Sequence, residues 1–222
     1  PEKTKEEFDM FYKSIMQPHL KALLEKTVVK EKDKYFRWYG AKVHHAYTGG
    51  LARHSLEVRL YATMVAKSIN LPPEKIETVR VAAQLHDIGK LYYYTEPPEA
   101  EITIDGRLYG YSYIGARIVE KAIEEIFGFP EMQARIILHS ILTASRKTAL
   151  TISESTVGVE PVTTESIIIA NANATSANVE GAFAFIENNT NENGMITKYD
   201  TFREKKYVNI TLEEHNNVVN AK

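Results

Sequence analysis

Apolar residues recur at helical spacing along most of the chain. Phe8, Phe11, Tyr12 and Ile15 predict a helix over 4–16, and Thr4 followed by Glu7 resembles a capping box at its start. Pro18 opens a second amphipathic stretch through Val29, with Leu20, Leu23, Leu24 and Val28 on one face. The charged run 30–34 reads as a solvated connection. The aromatic cluster Tyr35, Phe36, Trp38 and Tyr39 reads as packing of the N-terminal helices onto a domain, in preference to base stacking.

Gly49-Gly50 then precedes a helix whose apolar side runs through Leu51, Val58, Ala62, Val65 and Ile69, with His54 beside that stripe. Leu71-Pro72-Pro73 stops it, and Pro73 opens the next helix, on which Ile76, Val79, Ala83 and His86 share a face. Gly89 is read as the terminator of that helix. The segment 92–107 looks irregular, with Pro97-Pro98 and the turn signal Asp105-Gly106. Helices are predicted over 112–127, 130–145 and 164–184, separated by a polar loop or short ribbon at 150–163. An Asn-rich stretch at 188–194 leads to two alternating segments, 195–199 and 206–212, that suggest a closing β-hairpin.

Composition narrows the chemistry. Apolar residues make up 44% of the 222 and charged residues 25%, an ordinary globular balance. The net charge of −2 lacks the basic excess of a non-specific nucleic-acid binder. With no cysteine, disulfides and thiolate metal sites are excluded, so any metal must be held by nitrogen and oxygen donors. No run approaches the ~18 apolar residues of a membrane helix, and a soluble, cytoplasmic protein is expected.

His86 and Asp87 are adjacent at the end of a mostly buried helix, and His54 lies 32 residues earlier on another. Two imidazoles and a carboxylate suit Mn²⁺, Fe²⁺, Zn²⁺, Ni²⁺ or Mg²⁺, and they are the donor types of a hydrolytic metal site. Lys90 can meet a phosphate as a point charge or be a solvated helix-end lysine. Arg53 reads as a surface charge or a substrate contact, and His44 and His45 as groups behind the ligands or in a loop. Glu57, three positions after His54, is a carboxylate within reach of the same face. His19 and His215 lie far from every motif.

These residues resemble the HD-domain superfamily of metal-dependent phosphohydrolases, whose signature is H…HD…D on an all-helical fold. The run His44-His45-Ala46-Tyr47-Thr48-Gly49-Gly50-Leu51-Ala52-Arg53-His54-Ser55 is similar to the HHxYxGGLxxHS-like block of one branch, which includes bacterial 3′–5′ exoribonucleases. Leu85 to Lys90 resembles its second block and Gly106 to Gly110 a third; the likeness spans about 35 to 180. It implies an all-α HD-domain bundle at 35–187, flanked by an N-terminal helical extension (1–34) and an Asn-rich linker and β-hairpin tail (188–222). The extension carries no sign of the nucleic-acid-binding fold that the exoribonucleases have there.

The resemblance also exposes departures. Tyr111, Ala144 and Ser145 stand where that branch has histidines, and Asn173, counted from Glu165, stands at the final aspartate. The ligand set implied is His54, His86, Asp87 and Asn173 around one divalent ion, with Asp87 and Lys90 as the catalytic pair. The activity implied is hydrolysis of a phosphate-containing substrate, a nucleic acid or nucleotide. The alternative is a non-catalytic HD-fold module that binds nucleic acid, a nucleotide or a protein.

Overall fold

The amphipathic stripes fold as helices, and their apolar faces meet in one core. A computed structural model describes residues 2–41, 45–145, 159–190, 196–201 and 203–209. Nine α-helices occur among them: α1 Glu2–Lys13, α2 Pro18–Leu24, α3 Lys32–Tyr35, α4 Gly50–Ser68, α5 Pro73–Leu85, α6 Lys90–Tyr93, α7 Ile104–Glu124, α8 Glu131–Thr143 and α9 Thr164–Asn189. The chain forms two compact units, Pro1–Ala177 and Asn178–Lys222.

In the first unit α4 packs on α5, α5 on α8, and α7 on both α6 and α8. Leu20, Leu23, Leu24, Leu51, Val58, Ala62, Val79, Leu85, Ile137, Ile141 and Ile169 are fully buried between them. Each large aliphatic residue so placed contributes roughly 1.5–3 kcal/mol through the hydrophobic effect. Tyr35, Phe36 and Trp38 are buried in the same core, which accords with the packing role read for them. His19 is also used in packing, between Phe129 and the Oε1 of Gln133 at 2.5 Å. Glu77 of α5 ties down the α1–α2 link by accepting from the backbone N–H groups of Met16 and Gln17 at 2.6 and 2.9 Å.

Several boundaries differ from the sequence expectation. The first helix already includes Thr4, so the Thr4–Glu7 pair does not cap it. The stretch from Pro18 is α-helical only to Leu24 and continues as a π-helical turn over Glu25–Val29, inside which Thr27 Oγ1 bonds back to the Leu23 carbonyl at 2.5 Å. The region read as irregular contains a first helical segment of α7, which breaks at Gly110 (φ 71°, ψ 155°) just before the helix predicted from 112. Thr103 caps that first segment by accepting from Gly106 N at 2.9 Å, so Asp105-Gly106 falls in a first helical turn instead of a loop.

Gly89 does not act as the left-handed helix stop expected of it. Its φ is −61°, and its use is proximity: a Cβ there would lie 2.5 Å from Gly115 N and collide with the Tyr111 carbonyl. The two glycines let the turn after α5 touch α7 backbone to backbone. Gly89→Ala is therefore expected to destabilise the protein by about 3 kcal/mol or more, because neither backbone can yield locally. Chemical denaturation of that variant against Gly128→Ala checks this. Gly128 has open space around its Cβ direction, so its cost comes from backbone strain at φ +71° alone.

In the second unit, the described residues show isolated antiparallel bridges, Ile196–Val208 and Asp200–Lys205, and no continuous strand ladder. The expected β-hairpin is not confirmed by these residues; its remaining positions, 195 and 210–212, lie outside the described residues, as do the 150–158 part of the polar loop, His44 and His215.

Candidate metal centre

Three buried side chains from two elements converge: His54 on α4, and His86 and Asp87 in the turn that follows α5. One ligand atom from each lies within 4.8 Å of the others. Gly49, at φ +85°, and Gly50 set up the first element. A Cβ on Gly50 would strike the His45 carbonyl, so only glycine lets His45 lie against the start of α4. Gly40 N bonds His45 O at 2.9 Å, and Leu51 N bonds Trp38 O at 3.0 Å, which ties Trp38 to the start of α4 and Gly40 to His45.

Asp87 is the hub. Its Oδ2 lies 3.4 Å from His54 Nε2, 3.4 Å from His86 Nε2 and 2.6 Å from Lys90 Nζ. Burial pushes the Asp87 carboxyl upward, but the neighbouring His86 and the Lys90 ammonium more than offset this and hold it well below the usual carboxylate range. Lys90 is not a solvated helix-end lysine. It is 4% exposed, donates to the Gly40 carbonyl at 2.5 Å and faces the Tyr111 ring at 4.9 Å. Burial favours its neutral form, yet the attraction of Asp87 outweighs that and raises its pKa.

The protons around the histidines can be assigned from their partners. His86 Nδ1 meets the Ala83 carbonyl at 2.8 Å and must donate, so in the neutral ring the lone pair is on Nε2, which has no hydrogen-bond partner among the described residues. Ser176 on α9 gives its one hydroxyl proton to Glu57 Oε2 at 2.9 Å. Its Oγ can then only accept from His54 Nδ1 at 3.0 Å, and the neutral His54 ring likewise turns a lone pair to the cluster through Nε2.

Asn173 joins this side of the cluster, with Oδ1 2.9 Å from His54 Nε2 and Nδ2 donating to the Ala144 carbonyl at 2.9 Å. That second bond fixes which end of the amide faces inward. Two acceptor lone pairs thus face each other at 2.9 Å, beside a carboxylate and another imidazole lone pair. A positive centre is needed to reconcile them, either a cation among the four groups or an added proton on His54. The donors are two imidazoles, a carboxylate and an amide oxygen, a combination that fits a divalent cation of the borderline or hard type.

Glu57, read from sequence as a carboxylate within reach of this face, is engaged one step behind the cluster. It accepts from His45 Nε2 at 3.1 Å, Arg53 Nε at 2.8 Å and Ser176 Oγ. Burial pushes its carboxyl up, but those hydrogen bonds and the His45 charge lower it to about 2. Arg53 is thereby held against α4's own carboxylate. Ser176 went unnoticed in the sequence; its only signal is the three-residue spacing from Asn173, which puts both on one face of α9.

The positions where histidines were expected are differently used. Tyr111 Oη and Ser145 Oγ bond each other at 2.6 Å, and His139 Nε2 accepts from the Val162 backbone N–H at 3.1 Å. No other group of three or more potential His, Asp or Glu ligands forms among the described residues. No helix among them is long and apolar enough to cross a membrane.

Comparison with known proteins points the same way. The chain is 26% identical over 132 residues to the 3′-5′ exoribonuclease YhaM of Geobacillus sp. (strain WCH70), covering 59% of this chain and 40% of that protein. It is 30% identical over 122 residues to the 3′-5′ exoribonuclease YhaM of Bacillus licheniformis, covering 54% and 38%. The aligned segment thus spans about two fifths of the length of these relatives. No solved structure matches the chain. Residues 51–178 match the HD domain, a segment that holds His54, His86, Asp87, Asn173 and Ser176. With more than half of its length in that match, the chain belongs to the HD-domain family.

Proposed function

We propose that the protein is a metal-dependent phosphohydrolase of the HD type that cleaves phosphodiester bonds in RNA, with one divalent ion held by His54, His86, Asp87 and Asn173. The observation that carries this reading is the convergence of lone pairs from His54 Nε2, His86 Nε2 and Asn173 Oδ1 on the Asp87 carboxylate. The RNA preference draws on the named activity of the relatives, which this chain matches over part of their length.

The ion would supply Lewis acidity toward a phosphoryl oxygen and toward water. The chain's own residues prepare the site. Ala83 O and the Glu57–Ser176 pair hold both imidazoles in the tautomer that turns Nε2 inward. Lys90 keeps Asp87 ionised inside the protein and restrains its rotation. This makes Lys90 a positioning residue for Asp87 in place of the phosphate contact read from sequence, since its ammonium already meets Asp87 and the Gly40 carbonyl. The Tyr111–Ser145 pair supports a mononuclear centre, because neither residue brings an imidazole and each occupies the other.

Ser176→Ala removes the acceptor of His54 Nδ1 while leaving every proposed ligand intact. Metal affinity is expected to fall about 10- to 100-fold, and the metal-free protein to lose about 1–3 kcal/mol of stability, because His54 Nδ1 and Glu57 Oε2 each lose a buried partner. Ser176→Thr, which restores a hydroxyl, is expected to recover most of the affinity; isothermal titration with Mn²⁺ checks both.

The function itself is tested with 5′-labelled single-stranded RNA, the purified chain and Mn²⁺, with and without chelator. Shortening of the RNA that stops with chelator supports the proposal. Asn173 favours a second reading, a non-catalytic HD-fold module, because a neutral amide balances less of a divalent charge than the carboxylate it replaces. Metal uptake with intact RNA selects that reading.

A further inference from the structure

A cleft of about 450 Å³ opens between α1, α4 and α5 and contains none of the residues of the metal centre. Its notable member is Arg59 of α4, which is 5% exposed and whose Nε and Nη1 are buried with no hydrogen-bond partner among the described residues. The guanidinium lies 4.0 Å from the centre of the Phe11 ring, and the Arg80 guanidinium lies 5.1 Å from the same ring. Lys67 lines the cleft as a third cation.

The acids nearby do not bond Arg59. Glu7, on the cleft wall, lies 3.7 Å from Arg53 Nη1 and also attracts Arg59, less strongly than burial and Arg80 act against it, and Glu77, the acid that acts on Arg80, spends its carboxylate on the Met16 and Gln17 N–H groups. No ion pair with Arg59 forms among the described residues. Burial, and then repulsion from Arg80, lowers the Arg59 pKa to about 10.

A buried guanidinium with two nitrogens lacking an acceptor is costly, and repulsion from a second guanidinium adds to that. Water could satisfy the N–H groups but would leave the repulsion in place. An oxyanion answers both needs, and arginine is suited to it. The cleft is of ordinary size for a small organic ligand and larger than an inorganic phosphate requires. Its rim is apolar, with Met10 65% and Leu60 49% exposed.

We propose that this cleft is a second binding site, which takes a phosphate monoester of about mononucleotide size. The phosphate sits among Arg59, Arg80 and Lys67, and the apolar part of the ligand lies against Met10 and Leu60. The site does not depend on the hydrolase reading, because it shares no residue with the metal centre.

The test is calorimetric titration of the full chain with AMP, inorganic phosphate and a short RNA in turn. Chelator is present throughout, so that the metal centre is silent. AMP is expected to bind, and Arg59→Met to weaken it at least about tenfold. Arg59→Met exchanges a buried unpaired charge for an apolar chain of similar length, so its melting temperature is expected to hold or rise, which separates lost binding from lost fold. The proposal is overturned if AMP does not bind at millimolar concentration or binds Arg59→Met unchanged. It is equally overturned if phosphate alone binds as tightly as AMP, or if RNA binds and AMP does not.

Discussion

Asp87→Ala is expected to abolish divalent-metal binding and to weaken the fold in the same stroke. The carboxylate is the only anion in the cluster, and each imidazole Nε2 lies 3.4 Å from its Oδ2. Without it, two neutral rings and an amide remain, a set with little hold on a divalent ion. Wild-type protein saturated with Mn²⁺ is expected to retain about one ion per chain, and the variant none, by elemental mass spectrometry. The second effect comes from Lys90. Its ammonium is almost fully buried and pairs with Asp87 at 2.6 Å, so removing Asp87 strands a positive charge in the interior. Breaking one side of such a pair costs about 3–5 kcal/mol.

The two effects separate in a double variant. Asp87→Ala with Lys90→Met removes the stranded charge along with its partner and is expected to regain most of the lost stability, as apolar replacement of a whole buried pair commonly does. Metal binding is expected to stay absent. A double variant that still holds one ion would remove Asp87 from the ligand set. A single variant as stable as wild type would mean that Lys90 finds another anion or turns to solvent.

His54, His86 and Asp87 were legible in the sequence because an adjacent His-Asp pair at a helix end, with a second histidine on another amphipathic helix, is a local pattern. Asn173 was legible only by counting from Glu165, since an amide among alanines carries no chemical signal of its own. The burial of Lys90 was not legible. It depends on the Gly40 carbonyl and the Tyr111 ring, both remote in sequence. The same limit explains Glu57: its spacing from His54 suggested a ligand, but His45, Arg53 and Ser176 claim both of its oxygens. Gly89 shows how one residue type serves two ends. A glycine after a helix signals a left-handed stop, yet here it permits a backbone crossing that no local pattern announces. Helix boundaries slipped where a cap competed with a turn signal, as Thr103 did with Asp105-Gly106.

Asn173→Asp is expected to lower the melting temperature of the metal-free protein and to raise metal affinity by about tenfold or more. The native amide is useful in two directions: Oδ1 faces His54, and Nδ2 donates to the Ala144 carbonyl. A carboxylate keeps the inward oxygen but turns its second oxygen toward that carbonyl, where two acceptors oppose each other, at a cost of about 1–3 kcal/mol. When the ion is present, the added negative charge strengthens its binding, and tighter binding returns as stability. A tenfold gain in affinity is worth about 1.4 kcal/mol at saturating metal. The expected signature is therefore a crossing: the variant starts below wild type without Mn²⁺ and gains more from each addition of it. If RNA turnover rises with affinity, the native centre is an active one held in check by a neutral ligand. A variant that only loses stability, with no greater response to Mn²⁺, would take Asn173 out of the coordination sphere and leave it as a bridge between His54 and the end of α8.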